Sequence, residues 1–203
     1  KEYIEYNIKN TKKAYGIDID QKNIPNYESI SAEQIADSQD VIDNIPVISK
    51  SVTQTAIKEH QENSVYYNYD NTYLSLFNMG TNKKLAYVTP REILSNITMS
   101  YNNRTLKYTH GYSAIVSSAY DSDGDGFAEY LLSDFTSEGT LNIKQPRIYF
   151  GLNTNSTIMV NTSYGKEYDY PLTETTYQEN SYDGTAGLNV GFLDRAILGI
   201  SES

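Results

Sequence analysis

One loop concentrates acidic side chains at every second position. It reads Asp121-Ser122-Asp123-Gly124-Asp125-Gly126-Phe127-Ala128-Glu129. Ca²⁺ is a hard cation that takes roughly 6–8 oxygen ligands at about 2.3–2.6 Å, and a short loop supplies them by curling around the ion. We therefore predict a structural Ca²⁺ site whose ligands are the side chains of Asp121, Asp123, Asp125 and Glu129 and the backbone carbonyl of Phe127.

The calcium prediction has one alternative, which is a plain acidic turn, because Asp and Gly are ordinary turn residues. Gly126 permits a sharp turn, since it has no Cβ to clash at positive φ. An EF-hand is excluded because Leu132 stands where its bidentate Glu is needed. Over nine residues the loop instead resembles the calcium loops that join two strands in integrin-type β-propeller repeats. Mg²⁺ fits less well, because it demands near-octahedral geometry.

The chain has two histidines, His60 and His110. A Ser-His-Asp hydrolase would need one of them as its base, and no Gly-x-Ser-x-Gly elbow is present. His60 is predicted to be a solvated helix residue. His110 lies within Tyr108-Thr109-His110-Gly111-Tyr112. We expect it to hydrogen-bond tyrosine hydroxyls or backbone and to fix a turn, with a role as general base or ligand as the alternative.

Acidic residues offer a second route to catalysis. A glycosidase needs two carboxyl groups about 5–9.5 Å apart, and Glu167, Asp169 and Asp183 are candidates. With 26 Asp and Glu residues, chance pairs are common. Zinc is disfavoured because the sequence has no His-x-x-x-His spacing. We expect no catalytic residue, and a cell-envelope hydrolase using His110 or paired carboxylates stays as the alternative.

Composition limits partners and compartment. The net charge of −10 argues against nucleic acid, because phosphate binding needs a basic surface. The absence of cysteine excludes disulfides and thiolate chemistry. No apolar run approaches the ~20 residues that span a bilayer. The 203 residues fit one structural unit, and because the chain begins at Lys1 we expect it to be a fragment of a longer protein.

An N-terminal helical arm is predicted over residues 1–63. Its first helix covers residues 2–15, where apolar residues recur at helical spacing. The second begins at a capping box formed by Ser31 and Gln34. The third lies near residues 49–62. The arm is too polar to have its own core, so we expect it to pack on the rest of the chain.

Two further helix predictions are specific enough to be tested. In the third helix, the spacing places Val52, Ala56 and either Glu59 or His60 on one side. Downstream, Thr89-Pro90-Arg91-Glu92 has the form of a capping box with proline at the first helical position. It predicts a fourth helix that runs to about Thr98.

Residues 64–203 are predicted to form a β-rich α+β core with a mixed or antiparallel sheet. Strand character is evident on both sides of the acidic loop, which makes it a strand-loop-strand connection. A last helix is predicted over 190–200. The predicted strands are Tyr66–Tyr69, Tyr73–Phe77, Leu85–Val88, Tyr112–Val116, Tyr130–Leu132, Ile148–Phe150 and Ile158–Val160.

Several motifs together resemble a bacterial family of uncharacterised integral membrane proteins. The family signature Tyr-Thr-His-Gly-Tyr-Gly is similar to Tyr108–Tyr112, with Ser113 in the sixth place. Tyr101 stands where the family usually has Trp, and the aspartate loop replaces a shorter passage. The other matching segments, in family order, are Lys12–Gly16, Pro146–Gly151, Glu167–Pro171 and Tyr182–Gly187.

The resemblance implies a location and a role. Members of that family carry several membrane spans followed by a large external region, and the motifs here match the external region. The implied function is a non-catalytic extracytoplasmic domain on the outer face of the bacterial cell membrane. Its expected partners are its own transmembrane region and a cell-envelope protein or polymer. A solute-binding module of a transporter is a further alternative, and the family supplies no catalytic residues and no calcium site.

Overall fold

The fold is α+β, as predicted. A computed structural model describes residues 1–17, 29–60, 66–80, 82–94, 99–122, 124, 126, 128–135, 141, 143–191 and 194–195. Its helices are α1 (Glu2–Ala14), α2 (Ala32–Asp37), α3 (Gln39–Ile42) and α4 (Lys50–His60), with a π-helical turn at Asn103–Lys107. Its strands are β1 (Tyr67–Asn68), β2 (Tyr73–Met79), β3 (Asn82–Pro90), β4 (Glu92–Ile93), β5 (Gly111–Tyr112), β6 (Ala114–Ser122), β7 (Ala128–Leu132), β8 (Arg147–Ile148), β9 (Glu167–Pro171) and β10 (Tyr177–Asn180).

The chain divides into two compact units, Lys1–Asp40 and Val41–Ser203. In the first unit, every described side chain is exposed. The predicted arm extended to residue 63, whereas the structural division falls at Asp40. Helix α4 belongs to the second unit, because Ile57 is fully buried in a cluster with Tyr67 and Ile115.

Local sequence signals set the helix ends but not always the buried face. The capping box at the start of α2 is confirmed: Ser31 Oγ accepts from the Gln34 amide, and Gln34 Oε1 accepts from the Ser31 amide. The buried face of α4 lies one position away from the side that Val52 and Ala56 define. Thr53 and Ile57 are its buried residues, whereas Val52 is 62 % exposed. Thr53 can be buried because its hydroxyl donates to the Ser49 carbonyl.

A four-stranded antiparallel sheet in the order β2-β3-β6-β7 forms the centre of the second unit. Strands β2 and β3 make a hairpin whose turn contains Gly80 at φ 64°. Strand β6 is buried from Ala114 to Ala119, as expected for a central strand with both faces covered. On one face α4 contributes Ile57 to the cluster around Ile115. On the other, the buried cluster consists of Ala86, Val116 and Leu132.

The helix predicted from Thr89-Pro90-Arg91-Glu92 is wrong, because this segment is extended. Strand β3 continues to Pro90, which pairs with Ala114 of β6. The β2–β3 ladder ends at Val88, so Pro90 has a strand neighbour on one side only, where a missing N–H is tolerated. Glu92 then begins β4, which pairs with β1. Residues 95–98 lie outside the described part of the chain.

The C-terminal half contains less regular structure than predicted around residues 146–160 and more beyond it. Strand β8 comprises Arg147 and Ile148 only, and Ile158–Val160 is not a strand. By contrast, β9 and β10 form an antiparallel hairpin that the sequence did not reveal. Most of the predicted helix 190–200 lies outside the described residues. Across all the described residues of the chain, no helix is long and apolar enough to cross a membrane.

Candidate functional site

Three separate segments bring a histidine, an arginine and two carboxylates together. Thr109 and His110 lie between the π-helical turn and β5, Arg147 lies on β8, and Glu167 and Asp169 lie on β9. Successive strand residues point to opposite faces, so Glu167 and Asp169, two positions apart, share one face of β9. Both are buried, which places two carboxylates beside His110.

Close backbone packing positions this cluster. Strand β5 pairs with β8 through Gly111–Ile148 and Tyr112–Arg147. On its other side, the Tyr112 amide donates to the Arg91 carbonyl at 3.0 Å. A Cβ on Gly111 would lie 2.1 Å from that carbonyl oxygen, so only glycine fits at this position. Because Gly111 has no side chain, β5 can pack directly against the backbone of Arg91.

His110 is hydrogen-bonded through both ring nitrogens, and its side chain is fully buried. Nε2 lies 2.9 Å from Asp169 Oδ1, and Nδ1 lies 2.9 Å from Thr109 Oγ1. Nδ1 is also 3.5 Å from Glu167 Oε2. The expectation that His110 bonds tyrosine hydroxyls or backbone is therefore corrected, because its hydrogen-bond partners are the Asp169 carboxylate and the Thr109 hydroxyl. The Tyr149 ring instead packs against the imidazole at a centroid separation of 4.5 Å.

Each carboxylate has further donors. Arg147 donates to both oxygens of Asp169, from Nε to Oδ1 at 2.8 Å and from Nη2 to Oδ2 at 2.8 Å. Glu167 Oε2 accepts from the hydroxyls of Thr109 at 2.7 Å and Tyr149 at 2.8 Å. Its Oε1 accepts from the Tyr182 amide at 3.2 Å. The two cations and two anions balance, which limits the cost of burying charge.

The hydrogen-bond pattern determines the protonation state of His110. The single proton of the Thr109 hydroxyl is donated to Glu167, so Thr109 Oγ1 can only accept from Nδ1. Asp169 is held ionised by the Arg147 fork, so it can only accept from Nε2. With Glu167 and Asp169 both ionised, both ring nitrogens act as donors, which is the imidazolium form of His110.

The pKa shifts agree in direction with this assignment. Burial opposes the charge on His110, but hydrogen bonds to Asp169 and Glu167 outweigh burial and raise its pKa. Burial likewise opposes ionisation of Asp169, yet the His110 and Arg147 hydrogen bonds hold its pKa below the ordinary value. Hydrogen bonds from His110, Thr109 and Tyr149 do the same for the pKa of Glu167.

Thr109, His110 and Asp169 have the connectivity of a nucleophile-base-acid triad but not its chemistry. A catalytic histidine must accept a proton from the hydroxyl, whereas His110 has no free lone pair. The Thr109 hydroxyl donates to Glu167, and Thr109 as a whole is 3 % exposed. A shallow cleft of about 340 Å³, which includes space open to solvent, reaches the wall of this cluster. Thr109 and His110 contribute to its lining, together with Ile93, Arg104, Tyr108, Ile148 and Ile158.

The other sequence-predicted site residues lie elsewhere. Asp121 and Glu129 are exposed near the ends of β6 and β7, and Asp123, Asp125 and Phe127 lie outside the described residues. Gly124 and Gly126, between them, have φ of 91° and 93°. Within the described positions, no group of three or more potential metal ligands is present. Asp183 is exposed, as is His60, whose ring meets Tyr130 edge-on.

Sequence reasoning did not identify Arg147 or Thr109 as partners of His110. The usable signal was the strand-like Glu167-Tyr168-Asp169-Tyr170, where two acids fall on one face and two tyrosines on the other. The burial of both acids implies a cationic partner. Only the folded structure shows which of the 16 Lys and Arg residues is this partner, namely Arg147.

The uncharacterised protein family UPF0182 has a family model that matches residues 1–203. The chain belongs to this family. It is 33 % identical over 205 residues to a UPF0182 protein of Clostridium perfringens, with 100 % of this chain and 22 % of the relative covered. It is 30 % identical over 207 residues to UPF0182 protein CA_C0010 of Clostridium acetobutylicum, with 98 % of this chain and 23 % of the relative covered.

A UPF0182 protein of Clostridium botulinum is also 30 % identical, over 205 residues, with 98 % of this chain and 23 % of the relative covered. The chain thus spans less than a quarter of the length of these relatives. No solved structure matches the chain. The family is bacterial in these relatives and carries no assigned activity in its description.

Proposed function

We propose that this chain is a non-catalytic extracytoplasmic domain of a multi-span bacterial membrane protein. The observation that supports the non-catalytic role is the His110 cluster, in which both ring nitrogens and both carboxylates are hydrogen-bonded to groups within the domain. Asp169 and Glu167 neutralise His110 and Arg147, and the four side chains tie β5, β8 and β9 together. Their role is to stabilise the fold of a domain whose surface binds a partner.

The membrane location is supported by the motif resemblance and by the length of the relatives. The segments around His110, Arg147 and Glu167 match motifs of the external region of an integral membrane family. Relatives in the UPF0182 family are more than four times longer than this chain, since it covers 22 % of their length. The partners we propose are the transmembrane region of the same polypeptide and a cell-envelope protein or polymer.

The protonation state of His110 tests the non-catalytic role. We expect nitrogen-detected NMR at pH 7 to show both ring nitrogens of His110 protonated. The exposed His60 serves as an internal control, and the variant His110→Gln assigns the signals. A neutral His110 that titrates near its ordinary pKa of about 6.5 would remove the argument and favour the alternative, a hydrolase that uses His110 as a base.

The membrane location is tested by labelling from outside the cell. Leu188 is 94 % exposed, and the chain has no cysteine of its own. In a cysteine-free full-length relative, a cysteine at the equivalent of Leu188 should react with a membrane-impermeant maleimide in intact cells. Reaction only after the cells are lysed would place the domain on the inner side and contradict the proposal.

We also propose that the 121–129 loop binds one structural Ca²⁺. It connects two antiparallel strands, β6 and β7, at Ser122 and Ala128. Gly124 and Gly126 both have positive φ, and such values allow a tight curl. The Asp121 amide is held by the Ser118 hydroxyl at 2.9 Å, which fixes the entry to the loop. The proposed ligands are Asp121, Asp123, Asp125, Glu129 and the Phe127 carbonyl.

A thermal melt with Ca²⁺ and with a chelator tests the site. An extracellular-type loop should have a Kd of about 10⁻⁴ to 10⁻³ M. At a Kd of about 100 μM, ~1 mM Ca²⁺ adds roughly 1.4 kcal/mol by mass action. We expect a rise in Tm of several degrees that is lost in Asp123→Ala but retained in the control Asp183→Ala. Equal melting with Ca²⁺ and chelator would reduce the loop to an acidic turn.

A further inference from the structure

The shallow cleft beside the His110 cluster is lined by the guanidinium group of Arg104. Arg104 is half-buried on the π-helical turn. Across the described positions of the chain, no side chain or carbonyl forms an ion pair or a hydrogen bond with this guanidinium. By contrast, Arg147 binds Asp169, and Arg91 donates to backbone carbonyls. A half-buried cation without a counter-ion is suited to recognise an anion.

Backbone hydrogen bonds fix the position of Arg104. The π-helical turn closes through the Tyr108 amide, which donates at 2.8 Å to the carbonyl five residues before it. Thr105, within the turn, is 2 % exposed, and its carbonyl accepts from the Met159 amide at 2.9 Å. That bond holds Ile158 in the lining of the same cleft. Turns of this kind are rare and occur frequently at functional sites.

The lining combines apolar side chains with hydroxyl and amide groups. Ile93, Ile148 and Ile158 are all half-buried and line the cleft. The polar part of the lining is the segment Thr154-Asn155-Ser156. Hydroxyl and carboxamide groups can both donate and accept hydrogen bonds. The cleft therefore matches a ligand in which an anionic group, a small apolar group and peptide-like amides lie close together.

The charge available in the cleft suits a monoanion. Lys107, on the same turn, is engaged elsewhere, since its Nζ donates to the Lys166 carbonyl at 2.8 Å and lies 5.0 Å from the centre of the Tyr168 ring. The charge of His110 is neutralised within its own cluster. A carboxylate matches the planar fork of a guanidinium with two parallel hydrogen bonds. A phosphate dianion would leave one of its charges unpaired against the isoleucines.

The shallowness of the cleft decides what carries the carboxylate. A free small molecule is normally enclosed over about 70–90 % of its surface, and a cleft open to solvent does not provide that enclosure. The end of a longer chain needs to insert only its last residue. We propose that the cleft binds the C-terminus of a peptide whose last residue is small and apolar.

In this complex the terminal carboxylate bonds Arg104, and the last side chain contacts Ile93, Ile148 and Ile158. The preceding peptide amides bond the polar groups of residues 154–156. The inference rests on the proposed function, in which the surface of the domain binds a cell-envelope partner, and it names the chemical group that this partner presents.

Isothermal titration calorimetry of the 203-residue chain with the peptide acetyl-Gly-Ala-Ala tests the inference. The matched ligand is the same peptide with a C-terminal amide, which lacks the negative charge. Because hydrogen bonds between charged partners are the stronger class, we expect the acid to bind at least about 10-fold more tightly than the amide. Arg104→Gln should abolish this preference, whereas Arg195→Gln, at an exposed arginine, should retain it. Circular dichroism should show both variants folded.

Methyl-detected NMR tests the location of the site. The acid peptide should shift the methyl signals of Ile93, Ile148 and Ile158. Ile57, which is fully buried in the cluster with Tyr67, is the internal control and should not shift. Inorganic phosphate at the same concentration should not reproduce these shifts, because the cleft provides a single free cation among its described residues.

Four results would overturn the inference. They are a wild-type chain that does not bind the acid peptide at millimolar concentration, equal affinity for the acid and the amide, methyl shifts confined to other isoleucines, and equal shifts with phosphate. None of them bears on the protonation state of His110 or on labelling of intact cells, so this inference and the proposed function fail separately.

Discussion

Replacing Asp169 with Asn is the sharpest test of the buried cluster. The change keeps the shape of the side chain but removes the negative charge that two cations share. Asp169 accepts from His110 Nε2 at 2.9 Å and from Arg147 at 2.8 Å through each oxygen. An amide nitrogen at either position would face a donor rather than an acceptor. Asp169→Asn therefore leaves buried donors unmatched as well as a net positive charge.

The magnitude follows from burial. The side chains of Asp169 and His110 are 2 % and 0 % exposed, so water screens their interaction little. Removing one partner of a buried ion pair typically costs about 3–5 kcal/mol. Arg147 is 22 % exposed and can regain some hydration, which places the expected loss near the lower end, about 3 kcal/mol. At about 2–4 °C per kcal/mol for a protein of this size, Tm should fall by roughly 6–12 °C.

Urea unfolding followed by circular dichroism measures the loss, and Asp183→Asn is the matched control. Asp183 is exposed, so its replacement should change the free energy of unfolding by less than about 0.5 kcal/mol. NMR of Asp169→Asn should also show a lowered His110 pKa, since one of its two carboxylate partners is neutral. An Asp169→Asn protein as stable as the control would refute the reasoning that the cluster contributes to folding.

Two further predictions concern pH and backbone packing. The pKa of His110 is raised in the fold, so its stabilisation is present below its ordinary pKa of about 6.5 and is lost as pH rises through the raised value. The pKa values of Asp169 and Glu167 are lowered, so their stabilisation is present above about pH 4 and lost as pH falls further. Unfolding free energy should therefore peak in mild acid, and its decline between about pH 7 and pH 9, below the range in which tyrosines ionise, should vanish in His110→Gln; an unchanged decline would contradict this assignment. Gly111→Ala should destabilise by at least about 2 kcal/mol, because its Cβ would meet the Arg91 carbonyl. Urea unfolding should show a smaller loss in Gly80→Ala, where nothing lies within 4 Å.

Elements with strong local signals in the sequence were predicted correctly. The α2 capping box, the β2–β3 hairpin and the strands that flank the acidic loop are present as predicted. In each case the determining residues are adjacent in the chain, so the sequence contains the information locally. The class, α+β, follows from these elements.

The failed helix prediction at residues 89–92 has a clear physical cause, which is competition from distant partners. Thr89-Pro90-Arg91-Glu92 satisfies the local rules for a helix start, yet β6 offers Pro90 a strand neighbour and β1 offers one to Glu92. On α4, helical spacing alone cannot distinguish the Val52 side from the Thr53 side. The hydroxyl of Thr53 bonds within the helix, so a nominally polar residue can face the core.

The candidate site was predictable only in part for the same reason. His110 and the two acids were identified separately, although Asp169 lies 59 residues from His110 and Glu167 lies 58 residues from Thr109 in the sequence. No local pattern specifies that separation. The strongest signal in the sequence was the alternation that places Glu167 and Asp169 on one face of β9. If both acids are buried they need a cationic partner, but the sequence does not show which residue that partner is.

The short strands explain why a charged cluster lies in this position. The β5–β8 ladder has only two residue pairs, Gly111–Ile148 and Tyr112–Arg147. Two isolated pairs cannot define a register, because backbone hydrogen bonds are alike at every step. The fork from Arg147 to Asp169 and the bond from His110 to Asp169 are direction-dependent, so they fit one register only. A slip of one residue would turn Arg147 to the opposite face and leave Asp169 and His110 buried without it. The ionic cluster therefore supplies the alignment of β5 with β8 that their two-pair ladder is too short to enforce, and it links both strands to β9, with which neither shares a described ladder.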